Sequence, residues 1–289
     1  MDFSRYEPAL RRIVFELRPY LEEIVIIGGW VPYLYKRYGG FTLWNSNTSL
    51  TAEVDVLVDR PLAPGERPSI PELLLRADFR PSTEERGFAV WEGDIQAGEK
   101  IEFLVPHEGT SRQAGTVVPV TAQAGMGAIP LGGLELMRRF KQKLAIPVAT
   151  DGREQSLEIW VPTLGAYTVN KASTFSGRRE RPGGGNPKRA KDLLYLRDLM
   201  AAGPEVVDRI ESDLTEMTRD RDTRPLPQTK IRHAKNTLDL ALTGALRRIL
   251  PETAMMLVER EPSFTQKAAQ ADIQGHLADL VDVLDGYAN

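Results

Sequence analysis

Three acidic residues in the first half of the chain have the types and spacing of a metal site. Glu53 and Asp55 lie two residues apart in AEVDVLVD, and Glu102 lies in the later segment EKIEFLVP. Alternate residues of a β-strand point to one face, so Glu53 and Asp55 would present two carboxylates together. Mg²⁺ or Mn²⁺ binds such oxygens together with phosphates and water, and a third acid could bind an attacking hydroxyl group. The alternative for the pair is an ordinary solvated strand face.

A diglycine step precedes these acids in the chain. Residues 23–40 read EIVIIGGWVPYLYKRYGG, in which a short apolar run is followed by Gly28, Gly29 and aromatic residues at helical spacing. Pro32 fits the first turn of a helix, so the segment predicts strand, glycine bend and helix. A glycine bend lets backbone N–H groups approach a phosphate, and the following helix N-terminus adds a partial positive charge. Ordinary turn chemistry is the alternative for the two glycines.

Composition limits the classes of function that remain. The chain has 289 residues, a formal charge of −3, no cysteine and three scattered histidines, at positions 107, 233 and 276. These numbers exclude disulfides and thiolate metal sites, argue against a zinc centre, and give no overall basic field for nucleic acid. No run of about 18 apolar residues or secretion signal is present, so we expect a cytoplasmic protein without a membrane partner.

Hydrophobic periodicity divides the chain into an α+β half and a helical half. In the first half it predicts strands at 23–27, 52–59, 86–93, 99–106, 116–121 and 157–162, with 86–93 and 99–106 as a hairpin. The helices predicted there cover 5–19, 30–38, 71–78 and 132–145. From Thr163 the predicted elements are helices at 163–177, 187–203, 204–217, 230–250 and 263–287. We therefore expect two domains, residues 1–162 and 163–289.

A basic segment lies near the start of the helical half, at residues 171–191. It carries a net charge of +6, because one acid, Glu180, stands against seven bases: Lys171, Arg178, Arg179, Arg181, Lys188, Arg189 and Lys191. Such a cluster indicates affinity for phosphate, from an NTP, an RNA backbone or both. The alternative is a solvated loop.

Taken in order, five segments resemble the motifs of a known superfamily. They are IIGGWVPYLY, TAEVDVLVD, KIEFLV, VPTLGAYTVNKASTFSGRR and PKRAKDLLYLRDL. This order resembles the nucleotidyltransferase superfamily with its polymerase-beta-like core, and within it the AbiEii-like and related tRNA-modifying toxins of toxin-antitoxin systems. The resemblance spans roughly residues 20–200. It implies an N-terminal catalytic domain with a mixed β-sheet and flanking helices, followed by a C-terminal helical bundle domain.

The resemblance also assigns roles to individual residues. It implies that Glu53, Asp55 and Glu102 are metal ligands and catalytic acids, with Glu53 standing where Asp is more common. The residues that it places on the nucleotide are Gly28, Gly29, Trp30, Thr51, Lys171, Lys188 and Lys191. Asp192 would line the site from the helical domain beside Lys191, and Lys171 would contact the triphosphate.

The activity implied by the resemblance is metal-dependent nucleotidyl transfer, an EC 2.7.7-type reaction. An acceptor hydroxyl would attack the α-phosphorus of an NTP with Mg²⁺ or Mn²⁺ as cofactor, and pyrophosphate would leave. The implied acceptor is the 3′ end of tRNA, or another RNA bound through residues 171–191, and a cognate antitoxin is the implied partner. Two alternatives remain: a small-molecule, antibiotic-type nucleotidyltransferase, and a non-catalytic protein of the same fold that binds nucleotide or RNA.

Overall fold

The chain folds into two compact units. The structure is a computed structural model that describes residues 6–47, 53–82, 87–94, 96–97, 99–107, 116–150, 153–177, 187–219 and 225–288. One unit comprises Met1–Gly39 and Leu50–Pro162, and the other comprises Gly40–Ser49 and Thr163–Asn289. The segment 40–49 therefore groups with the second unit, although it lies within the first predicted domain.

The first unit contains a mixed β-sheet. Its strands are β1 (Val25–Ile27), β2 (Glu53–Leu57), β3 (Arg80–Pro81), β4 (Val90–Glu92), β5 (Lys100–Pro106), β6 (Val118–Pro119), β7 (Gly127–Leu131), β8 (Lys141–Thr150) and β9 (Arg153–Pro162). The order is β3-β4-β5-β2-β1-β9-β8, with β7 also paired to β5 and β6 paired to β7. Parallel pairing joins β2 to β5, β1 to β9, and β5 to β7, while the other pairs are antiparallel. The predicted β4–β5 hairpin is confirmed.

The α-helices among the described residues of this unit are α1 (Glu7–Glu16), α2 (Trp30–Tyr38), α3 (Ile70–Arg76) and α4 (Leu134–Arg139). Helix α1 is amphipathic and buries Leu10, Ile13 and Val14 completely. A carboxylate ties α1 to α2, because Glu7 accepts hydrogen bonds from the Tyr33 hydroxyl at 2.5 Å, from the Tyr38 hydroxyl and from Arg11.

The second unit is helical, with α5 (Leu164–Thr174), α6 (Pro187–Met200), α7 (Pro204–Arg219), α8 (Pro225–Thr243), α9 (Leu250–Arg260) and α10 (Gln266–Asp285). Apolar stripes on α7 and α10, which include Ile210 and Leu277, are buried as helical periodicity predicts. The expected α+β class, a mixed sheet followed by a helical region, is confirmed. Within the described ranges, no helix is both long and apolar enough to cross a membrane.

Two predicted helices are wrong in part. The helix predicted for 132–145 ends at Arg139, and residues 141–150 form strand β8. In β8 the buried Leu144, Ile146 and Val148 alternate with more exposed residues, and Pro147 is tolerated because the strand lies at the end of the sheet order. The helix predicted for 230–250 is interrupted, since α8 ends at Thr243 and α9 begins at Leu250, with a proline in its first turn. Strand β7 was not predicted.

Candidate functional site

The pairing of β2 with β5 brings two of the predicted acids to opposite positions. Asp55 is the register partner of Glu102 on β5 and of Ile27 on β1. Register partners point to the same face of a sheet, and neighbouring strands lie about 4.8 Å apart. The other face of β2 carries Val54 and Val56, which are fully buried. Asp55 and Glu102 thus lie side by side on the polar face of a core sheet.

Two register positions away, on the same face, lies a second row of charges. Glu53 is the partner of Lys100 on β5, and Lys100 is the partner of Glu92 on β4. Because alternate residues share a face, both rows belong to one surface, and we call its five charged residues the acidic face: Glu53, Asp55, Glu92, Lys100 and Glu102. All five are partly buried. The sequence reasoning missed Lys100 and Glu92, although Lys100 stands two residues before Glu102 and must share its face.

The diglycine bend touches the acidic face. Gly28 has φ of +75°, in the left-handed region, and a Cβ atom placed on it would lie 1.8 Å from Asp55 Oδ2. Only glycine therefore fits there without displacing the carboxylate. The next residue, Gly29, is the N-cap of α2. The Asp55 carboxylate thus lies beside the N-terminal end of α2, where the helix dipole favours negative charge.

Trp30 anchors this arrangement from inside the core. Its indole Nε1–H donates a hydrogen bond of 3.1 Å to the backbone carbonyl of Glu53, and its ring packs edge-on against Tyr33. The side chain is fully buried, so the ring is not accessible for stacking on a base. Trp30 therefore ties the start of α2 to the start of β2, and only its backbone is suited to the predicted phosphate turn.

In the second unit, two other predicted residues form a buried ion pair. Lys171 on α5 donates a hydrogen bond of 2.8 Å from Nζ to Asp192 Oδ1 on α6, and the two side chains are 10% and 3% exposed. The Lys171 ammonium also lies 5.1 Å and 5.6 Å from the ring centroids of Tyr195 and Tyr167. Lys171 and Asp192 lie 21 residues apart in the sequence, and the contact between their two helices brings them together.

The remaining predicted residues are placed only in part. Lys188 is exposed on the first turn of α6, and the Lys191 ammonium lies 5.8 Å from the Tyr195 ring centroid. Arg189 donates a hydrogen bond of 2.9 Å to the carbonyl of Ser176. Thr51 and the basic residues at 178, 179 and 181 lie outside the described residues. The basic segment as a whole remains a prediction.

The acidic face has the donor chemistry of a hard divalent cation. Among the residues that the structure describes, no group of three or more carboxylate, histidine or cysteine side chains is placed to hold a metal ion. Asp55 and Glu102, as neighbouring carboxylates, still match the usual Mg²⁺ arrangement, in which one or two carboxylates are completed by phosphates and water. The residues present therefore fit such a cation when a phosphate substrate supplies the other ligands.

Comparison with known proteins gives the family. Residues 16–209 match the family described as nucleotidyltransferase, and this range is more than half of the chain. The chain belongs to the nucleotidyltransferase family. No curated protein and no solved structure matches it. The matched range of this nucleotidyltransferase includes the diglycine bend, the acidic face and the Lys171–Asp192 pair.

Proposed function

We propose that this nucleotidyltransferase moves a nucleoside monophosphate from an NTP to an acceptor hydroxyl with a divalent cation, Mg²⁺ or Mn²⁺. Asp55 and Glu102, which are register partners, would hold this cation first, and Glu53 from the neighbouring row of the same face would be the third acid of the site. Bound there, the cation would supply Lewis-acid stabilisation of charge on the phosphate oxygens. The observation that supports the proposal most directly is the position of Asp55, beside Glu102 and in contact with the glycine bend.

In the proposed reaction the acceptor oxygen attacks the α-phosphorus in line. A new oxygen–phosphorus bond forms, the bond to the β-phosphate oxygen breaks, and pyrophosphate leaves. Glu102 binds the acceptor hydroxyl and takes its proton. Backbone N–H groups of Gly28, Gly29 and Trp30 are suited to the phosphates, since they lie at the N-terminal end of α2.

The proposal extends to the lysines of the helical unit. Lys171 contacts the triphosphate, and Asp192 orients it through the 2.8 Å hydrogen bond. Lys188 and Lys191 contribute further positive charge from α6. This part of the proposal is supported by the resemblance of the two helices to the toxin branch, and by the low exposure of the Lys171–Asp192 pair, which keeps the ammonium group fixed.

For the acceptor we propose the 3′ end of tRNA, with growth inhibition as the outcome and a cognate antitoxin as partner. The basic segment at 171–191, net +6 in a chain of net −3, favours an RNA acceptor over a cationic small molecule. The order of motifs that resembles the AbiEii-like toxins supports the same choice.

The deciding experiment measures nucleotidyl transfer directly. The intact protein is incubated with each α-labelled NTP, Mg²⁺ and total tRNA, beside Asp55→Asn and the control Asp78→Asn, whose side chain is 86% exposed. We expect label on the RNA 3′ end with the wild type and with the control, and at least about a 100-fold loss for Asp55→Asn. Equal labelling by Asp55→Asn would refute the assigned acid.

The same assay separates the alternatives. Label on a small molecule but not on RNA would overturn the tRNA acceptor and favour the antibiotic-type reaction. Binding of NTP, seen as thermal stabilisation, without any labelled product would overturn catalysis itself. The toxin role is tested by induced expression in cells, where the wild type should arrest growth and Asp55→Asn should not.

A further inference from the structure

An exposed apolar patch lies on segment 40–49, which groups with the helical unit. Leu43 is 63% exposed, and Phe41 and Trp44 are each partly exposed. The two aromatic rings pack edge to face, with their centroids 5.3 Å apart and their planes at 78°. We call these three residues the aromatic patch. Neighbouring exposed apolar side chains, unlike isolated ones, indicate a surface that binds a partner.

Hydrogen bonds hold the indole ring of Trp44 in one orientation. Its Nε1–H donates to the Ser46 hydroxyl at 3.0 Å, and that hydroxyl donates to the Asp198 carbonyl of α6 at 2.6 Å. Asp198 is itself fixed, because its fully buried carboxylate accepts hydrogen bonds of 2.5 Å and 2.6 Å from Arg260. The ring is therefore preorganised for a flat ligand, and preorganisation lowers the entropic cost of binding.

Uncharged polar residues accompany the rings in the sequence FTLWNSN, and Thr42, Asn45 and Asn47 are all exposed. Two further hydrogen bonds of 2.9 Å fix the backbone, from the Thr42 N–H to the Glu205 carboxylate and from the Asn45 N–H to the Ala202 carbonyl. Amide and hydroxyl groups can donate to and accept from the edge of a base whose face stacks on an aromatic ring. This combination favours an unpaired nucleobase over an apolar protein surface as the partner.

Positive charge for the phosphates of such a partner lies on the same helix that anchors the patch. Lys188 is exposed on the first turn of α6, and Lys191 follows one turn later. Asp198, whose carbonyl holds Ser46, lies about 10 Å further along the helix axis than Lys191. Stacked nucleotides follow each other about every 3.4 Å along a strand, so three or four linked nucleotides span this distance. The spacing fits the end of a single strand, which brings several bases and phosphates together.

We infer that the aromatic patch binds an unpaired base of the RNA acceptor by stacking on Trp44 and Phe41. The inference rests on the proposed function and deepens it, because it names the part of the helical unit that holds the acceptor strand. Stacking of one base on an aromatic side chain changes the affinity about tenfold. Phosphate contacts set the salt dependence of binding and stacking does not, so the two contributions can be measured separately.

The test measures binding of a fluorescein-labelled single-stranded RNA of about twelve nucleotides to the intact protein, by anisotropy and without NTP. Trp44→Leu loses the aromatic face and Trp44→Phe keeps one, while both lose the hydrogen bond to Ser46. We expect Trp44→Leu to bind about tenfold more weakly, with an unchanged slope of log affinity against log salt, and Trp44→Phe to stay within about threefold of the wild type. Lys188→Gln should instead reduce the magnitude of that slope by about 0.7.

A control variant and a second readout separate stacking from a loss of structure. Phe15→Leu removes a partly exposed ring from α1, in the other unit, and should bind the RNA like the wild type. The second readout uses the same RNA with one 2-aminopurine base near its 3′ end, because the fluorescence of this base falls when its ring stacks. The wild type should quench it, and this result does not depend on the stability of any variant.

Three outcomes would overturn the inference. The first is equal affinity of the folded Trp44→Leu and Trp44→Phe variants, or no quenching by the wild type. The second is quenching of 2-aminopurine riboside triphosphate with Mg²⁺ but not of the RNA, which would assign the patch to the NTP base. The third is a wild type that binds no RNA but forms a dimer, which Leu43→Ser dissociates and Leu240→Ser, at a site 49% exposed, does not.

The two proposals fail in different ways. If the wild type transfers no nucleotide but binds and quenches the RNA through Trp44, the proposed function fails and the role of the aromatic patch stands. If the wild type labels RNA while Trp44→Leu binds RNA as tightly as the wild type, the role of the aromatic patch fails and the proposed function stands.

Discussion

Replacing Gly28 by alanine tests the link between the glycine bend and the acidic face. The substitution places a Cβ atom on a residue with φ of +75°, where it would lie 1.8 Å from Asp55 Oδ2 and 2.7 Å from Asp55 Cγ. The left-handed backbone costs an alanine about 1–2 kcal/mol. The carboxylate must also leave its position, and an off-rotamer side chain adds about 0.5–1.5 kcal/mol. We expect Gly28→Ala to lower the free energy of unfolding by about 2–3 kcal/mol and to weaken Mn²⁺ binding.

The matched control is Gly125→Ala. Gly125 has φ of +78°, and a Cβ atom placed on it meets no atom within 4 Å. This variant therefore carries the backbone cost without the collision, about 1–2 kcal/mol, and should leave Mn²⁺ affinity unchanged. The difference between the two alanine variants isolates the contact with Asp55.

A double-mutant cycle sharpens the measurement. Asp55→Ala removes the oxygen and the carbon that the new Cβ would meet most closely. In that background, urea denaturation should show that Gly28→Ala costs about 1 kcal/mol less than in the wild type. Additive effects of the two substitutions, or equal costs for Gly28→Ala and Gly125→Ala, would refute the reasoning.

Three further predictions concern the residues that support the site. Trp30→Phe removes the donor to the Glu53 carbonyl and should lower the free energy of unfolding by about 1–2 kcal/mol in urea, whereas no change would show that this bond is dispensable. Lys171→Met leaves the buried Asp192 carboxylate without its ammonium partner, and should cost about 3–5 kcal/mol. The double variant Lys171→Met/Asp192→Asn should cost clearly less, and equal costs would contradict a buried ion pair. Burial alone would raise the pKa of Glu7, but hydrogen bonds from two tyrosines and an arginine outweigh it and lower the pKa below its ordinary 4.5. This stabilisation is present above about pH 4.5 and is lost as the pH falls through the lowered value, so Glu7→Gln should be less stable at pH 7 by about 1–2 kcal/mol. In urea titrations the gap should narrow as the pH falls below 4.5 and close once it is below the lowered pKa of Glu7, and a gap of constant size over this range would exclude the assigned cause.

Local sequence patterns were sufficient to predict the central strands of the sheet. The alternation in AEVDVLVD and EKIEFLVP predicted β2 and β5, and the diglycine step predicted the bend between β1 and α2. Which residues face each other across strands depends on register, and register is set by pairing between distant segments. For that reason the proximity of Asp55 to Glu102 was a hypothesis, and the charge row through Lys100 was missed.

The errors have a common physical origin. Residues 141–145 continue a helical pattern from α4, and their alternation becomes clear only when 146–150 are read with them. The partner of β8 is β9, so strand pairing outweighed the local helical preference. In the same way, helical periodicity continues through residues 230–250, so the sequence pattern does not show that α8 ends at Thr243.

The assignment of residues 40–49 to the second unit has a practical consequence for dissecting this enzyme. The backbone N–H of Asn45 donates to the Ala202 carbonyl, and the Ser46 hydroxyl donates to the Asp198 carbonyl. A fragment that stops at residue 162 would keep 40–49 but lose both of these acceptors. A fragment designed to fold as the sheet unit alone should instead carry a short Gly/Ser linker between residues 39 and 50. Residues 40–49, which would lack their hydrogen-bond acceptors, are then not left to promote aggregation.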